Sequence, residues 1–229
     1  QKNICKYHNV EQGSEAFEKL DTAYLKMLRR MRQNGLSCPG PEAASTGERQ
    51  YEFSFTKMEA FMEKAISLGF NRFYLGLGFR ESWKGSTILV GGLPAMSFEG
   101  YCYLAQYLPA LSAFLEERGW TDKLLLSISD EPNEENKTEY RALCGLVRKF
   151  APKIRMIEAS STPVYGAIDI YVPLSSEFER YREEYETLRR YGEELWYYDC
   201  CGPRGDGYMN RFMDYPLLST RYHGWANYA

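Results

Sequence analysis

Two carboxylates, Asp130 and Glu131, stand side by side directly after the apolar run from Lys123 to Ser129 (KLLLSIS). Glycosidic cleavage needs one carboxylic acid that lends a proton and one carboxylate that keeps its charge. Adjacent acids at one pocket mouth could supply both. A short continuous apolar run predicts a strand buried on both faces, so the pair falls where a strand ends and its loop begins. In a parallel barrel that place is the C-terminal rim, where active sites gather. Pro132 cannot donate to a ladder and favours extended backbone before it, so it is expected to end the strand with Glu131 extended. The competing role is structural, with Asp130 capping the next helix or turn and Glu131 a solvated rim residue.

Few other groups compete for chemistry. With only two histidines, His8 and His223, a His-based metal site or triad has few candidates. The six cysteines show no spacing that suggests zinc or a disulfide framework. The vicinal Cys200 and Cys201 read as packed thiols, since a bridge between neighbours would be strained. No cofactor and no metal are expected. A net charge of -3 without a basic run gives no electrostatic reason to expect nucleic acid. No apolar stretch approaches the roughly 18 residues of a membrane span. Aromatic residues reach 15%, 19 of them Tyr, which suits either a ring-rich core or stacking on sugar faces.

The pair needs a scaffold, and helical and strand signals alternate along the chain. Helical spacing covers Ser14 to Met31, Phe55 to Ile66, Ser97 to Arg118, Lys137 to Phe150 and Phe178 to Tyr191. Between them lie strand-like runs at Leu36 to Pro39, Phe70 to Leu77, Lys123 to Ser129, Ile154 to Ala159, Ala167 to Pro173 and Leu195 to Asp199. Gln1 to Gly13 is hard to assign, Gly40 to Gly47 and Gly78 to Gly92 read as loops, and Pro216 to Ala229 begins another helix. No hairpin signal interrupts the order, which argues for a parallel sheet covered by helices. No glycine-rich phosphate turn follows any strand, so a (β/α)₈ TIM-type barrel is favoured over a doubly wound sheet. Such barrels need roughly 250 residues. The expectation is one catalytic barrel domain over residues 1–229, lacking a strand at each end, as an excerpt of a longer chain.

The segment from Phe114 to Lys123 (FLEERGWTDK), followed by Ser129-Asp130-Glu131-Pro132, resembles a stretch of glycoside hydrolase family 123 and its uncharacterised relatives. The runs Leu195 to Pro203 (LWYYDCCGP), Phe212 to Pro216 (FMDYP) and Arg221 to Trp225 (RYHGW) are similar to later family segments, in the same order. The resemblance implies a retaining exo-β-N-acetylhexosaminidase, with N-acetylgalactosamine favoured, and a carbohydrate as partner. It implies substrate-assisted catalysis in which Asp130 orients the 2-acetamido group and Glu131 protonates the leaving oxygen, then activates water. Around them, Tyr197 or Tyr198 is expected to bond the acetamido carbonyl and Trp196 to wall the sugar. Only one of the two tyrosines should point inward. Asn210, Arg221 and Trp225 are candidates for hydroxyl contacts or stacking, with a structural salt bridge favoured for Arg221. Two other readings remain: a protein nucleophile from Asp199 or Glu177, and a non-catalytic carbohydrate-binding barrel.

Overall fold

The computed structural model of the chain describes residues 2–80, 85–160, 162–205, 207–208, 210–223 and 225. Its strands are β1 (Gly35–Ser37), β2 (Glu42–Gly47), β3 (Gln50–Ser54), β4 (Arg72–Gly76), β5 (Leu89–Val90), β6 (Leu93–Pro94), β7 (Leu124–Ser127), β8 (Arg155–Ala159), β9 (Ile170–Val172) and β10 (Glu194–Leu195). The helices are α1 (Lys2–His8), α2 (Glu15–Arg30), α3 (Thr56–Ser67), α4 (Phe98–Glu117), α5 (Lys137–Phe150), α6 (Ser175–Arg180), α7 (Arg182–Arg190) and α8 (Leu217–His223). Among the described residues, one sheet of six strands runs in the order β1-β4-β7-β8-β9-β10. Every pair within it is parallel. Among the described residues the sheet does not close on itself.

Local chemistry sets the helices. Ser14 caps α2 by accepting the Phe17 N–H at 3.2 Å, and Phe17, Asp21 and Leu25 recur at a spacing of four on its buried face. Ser97 caps α4 in the same way through the Gly100 N–H at 3.0 Å. The polar opening stretch, which periodicity leaves unassigned, forms α1, and His8 Nε2 lies 2.9 Å from the Tyr24 hydroxyl. The expected helix from Phe178 to Tyr191 breaks at Tyr181 into α6 and α7.

The expectation of an uninterrupted strand–helix alternation needs correcting. β2 and β3 pair antiparallel, as do β5 and β6, so both presumed loops carry hairpins. The first is held by rings rather than by turn residues. Tyr51 and Phe53 pack edge-on against Tyr103 of α4, and Phe55 stacks on Phe114 at 4.5 Å. The second hairpin buries Ile88, Leu89 and Val90.

The principal core lies between the sheet and its helices. It takes Leu124, Leu126 and Ile128 from the central strand and Leu104, Leu108, Leu111 and Leu115 from α4. The other side of the sheet buries a smaller cluster of Leu125, Ile157 and Ile170, flanked by Tyr74 and Val172. β7 is therefore buried on both faces over its whole length. The glycine at 100 lets α4 sit directly on β6, because a Cβ there would lie 2.2 Å from the Pro94 carbonyl oxygen. Gly100→Ala is expected to cost about 2 kcal/mol through overpacking. In a thermal melt this should appear as a Tm about 4–8 °C lower.

Candidate active site

The β7 ladder continues past its last strand residue, with Leu77 N–H donating to Ser127 O at 2.8 Å and Gly78 N–H to Ile128 O at 3.0 Å. Beyond Ser129 the chain turns sharply. Asp130 and Glu131 take φ values of +47° and +43°, two consecutive non-glycine residues in the left-handed region. Glu131 is thus not extended, although Pro132 follows it. The expected proline effect is overridden by contacts that grip both sides of the turn. The Arg80 guanidinium donates to Asp130 O at 2.9 Å and to Glu131 O at 3.2 Å. On the preceding side, the Glu158 carboxylate accepts the Ile128 and Ser129 N–H groups at 2.9 and 3.0 Å. Left-handed non-glycine residues cost on the order of 1–3 kcal/mol each and persist where surrounding contacts over-determine them.

The turn changes how the two acids are presented. Successive side chains diverge by about 180° on a strand but by about 100° in helical backbone of either hand. Asp130 is exposed and Glu131 half-buried, and the Tyr198 hydroxyl donates to Glu131 Oε1. Burial, followed by this bond to Glu131, pushes the Tyr198 phenol well above its ordinary value, so it stays a donor. Asp130 does not cap α5, whose N-cap position is held by Asn136.

The remaining expected site residues separate. Tyr198 pairs with Leu174 as a parallel bridge beyond β10 and reaches Glu131. Tyr197 turns towards α8, its ring edge-on to His223 at 5.8 Å. Trp196 is partly exposed and donates its indole N–H to Glu194 Oε1 at 2.6 Å. The Asn210 amide is committed elsewhere: Nδ2 donates to the Cys200, Gly202 and Pro203 carbonyls, each at 3.2 Å, and Oδ1 accepts the Arg211 N–H. It therefore organises the Cys200–Pro203 loop. Arg221 is exposed on α8 with no ion pair among the described residues, unlike the salt bridge expected of it. Trp225 is exposed. Asp199 has an enclosed carboxylate that accepts from Ser175 Oγ at 3.0 Å and lies 3.3 Å from His223 Nε2. Glu177 lies 3.8 Å from Arg180.

Cys200 and Cys201 are exposed rather than packed, both as free thiols, with their sulfurs in a long hydrogen-bond contact at 3.9 Å. They ride on the surface loop that Asn210 holds. Among the described residues no group of three or more His, Cys, Asp or Glu could hold a metal ion. No helix of the described residues is long and apolar enough to cross a membrane.

Arg80, Glu158, Tyr140 and Tyr74 are absent from the sequence-based list. Glu158 is fully buried on β8 and also accepts from Ser127 Oγ at 2.9 Å and the Tyr140 hydroxyl at 3.3 Å. Burial pushes its carboxyl up to about 7 against these hydrogen bonds, and the charge of Asp130 adds to the rise. Tyr74, beside Ser127, is likewise raised, first by burial and then by the Glu158 charge. A carboxylate inside an apolar strand was the available signal, because such groups are almost never buried without a partner.

The profile of the glycoside hydrolase 123 catalytic domain matches residues 1–229. The chain belongs to that family. Among solved structures it is similar to a family 123 glycoside hydrolase from Clostridium perfringens, at 15% identity and a TM-score of 0.69, covering 90% of this chain and 43% of that one. It also resembles a crystal structure described as a glycoside hydrolase (9% identity, TM-score 0.53, 76% of this chain and 70% of that one). A β-D-glucuronidase from Dictyoglomus thermophilum matches at 12% identity and a TM-score of 0.52, over 95% of this chain and 39% of that one. At these identities the likeness is one of fold. The chain spans under half the length of the Clostridium protein. No curated protein matches it.

Proposed function

We propose that this chain carries the catalytic pair of a retaining exo-β-N-acetylhexosaminidase, acting on N-acetylgalactosaminides by substrate-assisted catalysis. Membership of the glycoside hydrolase 123 catalytic family supports glycoside hydrolysis and a carbohydrate substrate. The observation that carries the mechanism is the double left-handed turn, which puts Asp130 and Glu131 at neighbouring angles on one short segment. An ordinary retaining enzyme places two carboxyl groups about 5–5.5 Å apart on opposite sides of the anomeric carbon. Consecutive residues on one turn serve that geometry poorly. They suit a reaction whose nucleophile is the substrate's own acetamido oxygen. Asp130 then orients the acetamido N–H and stabilises the charge that develops on the group. Glu131 protonates the departing oxygen and later activates water. Tyr198 holds one Glu131 oxygen, leaving the other to face the glycosidic bond.

The candidate protein nucleophiles are engaged elsewhere, Asp199 by Ser175 and His223 and Glu177 beside Arg180. The six parallel strands are proposed to be an arc of a (β/α)₈ barrel within a single catalytic domain over residues 1–229, with the acids at its C-terminal rim.

The test is a panel of aryl β-glycosides bearing either a 2-acetamido or a 2-hydroxyl group. An intramolecular nucleophile is worth many orders of magnitude in effective concentration, so kcat/KM for the 2-hydroxyl sugars should be about 10³-fold lower or worse. Efficient turnover of the 2-hydroxyl sugars would overturn the mechanism, and a 2-fluoro glycoside trapped on Asp199 or Glu177 would name the nucleophile instead. Sugar binding in calorimetry with no hydrolysis across the panel would make the chain a binding module.

A further inference from the structure

The Glu158 carboxylate is buried on β8, yet it contacts the neighbouring strand exactly where that strand leaves the sheet. β7 and β8 are in register at Leu125↔Arg155 and Leu126↔Met156. Past that point one carboxylate oxygen of Glu158 receives the main-chain N–H groups of Ile128 and Ser129. The other oxygen takes Ser127 Oγ, and the Tyr140 hydroxyl on α5 reaches the first. Four donors therefore converge on one side chain. Two of them are main-chain groups of the residues just before Asp130. A buried carboxylate with a full set of donors fixes those donors, because any displacement leaves a charge or a main-chain N–H unsatisfied in low dielectric.

We propose that Glu158 is a positioning residue for the carboxylate pair: it anchors the main chain at Ile128 and Ser129 so that the strained turn presents Asp130 and Glu131 together. This rests on the reading that the pair is catalytic. Arg80 grips the carbonyls of the two left-handed residues themselves and Glu158 the N–H groups just before them, so the turn is held along its length. Catalysis is sensitive to displacements of about 1 Å at the reacting groups. The side chain touches no substrate, so its effect belongs on turnover rather than on binding.

The experiment is a series at this position in the intact protein, assayed with an aryl 2-acetamido-2-deoxy-β-galactoside at a temperature well below each variant's melting point. Glu158→Gln keeps length and an acceptor oxygen for both N–H groups, while its amide donates to Ser127 Oγ. Glu158→Asp withdraws the carboxylate from those N–H groups by about one methylene. Glu158→Leu removes the acceptors altogether. The expected result is kcat within about 3-fold of wild type for Gln and about 100-fold lower for Asp, with KM little changed in both. Leu is expected to be no better than Asp. Amide hydrogen exchange at Ile128 and Ser129 should quicken in the Asp variant and not in the Gln variant. If Glu158→Leu does not fold, the Gln and Asp pair decides alone. Unchanged kcat in a folded Asp variant, with only a lower Tm, would make Glu158 purely structural. A Gln variant as impaired as the Asp variant would show that charge, not position, is what matters; either result overturns the proposal. Glu131→Gln is run alongside. Full turnover in that variant would mean that the reading of the pair had failed, whereas its loss with an active Glu158→Asp would mean that only this proposal had.

Discussion

Replacing Glu131 by Gln is expected to lower kcat/KM for an aryl 2-acetamido glycoside by about 10³-fold, the scale of a lost general acid–base residue and about 4 kcal/mol of transition-state stabilisation. The loss should depend on the leaving group. A dinitrophenolate departs without a proton, so the acid step of Glu131→Gln should recover on that substrate while a methyl glycoside stays inert. Asp130→Asn should lose a comparable factor with every leaving group, because orientation of the acetamido group is needed whatever departs. Neither change should disturb the fold. Asn is among the residues that tolerate left-handed backbone best, and Asp130 is exposed. Glu131→Gln keeps an oxygen for the Tyr198 hydroxyl. Steady-state kinetics on the two leaving groups, with circular dichroism on each variant, read the outcome. A Glu131→Gln enzyme equally slow on both substrates would remove it from the acid role, and undiminished turnover in either variant would remove the pair from catalysis.

How much of this could be read from residues alone depends on the range of each interaction. The central strands lie where apolar runs predicted them, because burial on both faces demands continuous apolar sequence and β7 satisfies it at every position, whereas the edge strand β10, half-exposed, shares only Leu195 with the run from Leu195 to Asp199. The helices with caps and regular spacing, α2 and α4, were equally plain. The β2–β3 hairpin was hidden because its turn carries none of the usual two-residue signals. Its evidence is the alternation of Tyr51, Phe53 and Phe55, whose meaning depends on the rings of α4 about 50 residues away. The acids were visible as a dipeptide at a strand end. Their geometry was not, since Pro132 argues locally for extended backbone and only Arg80 and Glu158 reverse it. Asn210 shows the opposite error: a polar residue in a family-like segment looks free for substrate until the carbonyls of Cys200, Gly202 and Pro203 surround its amide.

Glu158 should also give the protein a pH dependence of stability that runs against the usual acid denaturation. Its carboxyl rises from an ordinary 4.5 to about 7 in the folded chain, chiefly by burial. The folded state therefore binds the proton more tightly than the unfolded state. The associated stability is complete below about pH 4.5 and is lost as pH rises to 7 and beyond. The displacement is worth about 3 kcal/mol on the scale of 1.36 kcal/mol per pH unit. The groups facing Glu158 are Asp130, Tyr140, Tyr74 and Cys144, together with Ser127 and the two main-chain N–H groups. Tyr140 is held far above its ordinary value and the Cys144 thiol is pushed up to about 12, in both cases mainly by burial and next by the Glu158 charge, so neither titrates below pH 8. Urea melts between pH 5 and 8 should show wild type losing about 2.5 kcal/mol towards alkaline pH relative to Glu158→Gln. Glu158→Gln, which has no proton to lose, should be nearly flat and the more stable of the two at pH 8. Parallel pH profiles for the two proteins would show that the buried carboxyl titrates as it does in water, and would remove the energetic cost assigned to its position behind the acids.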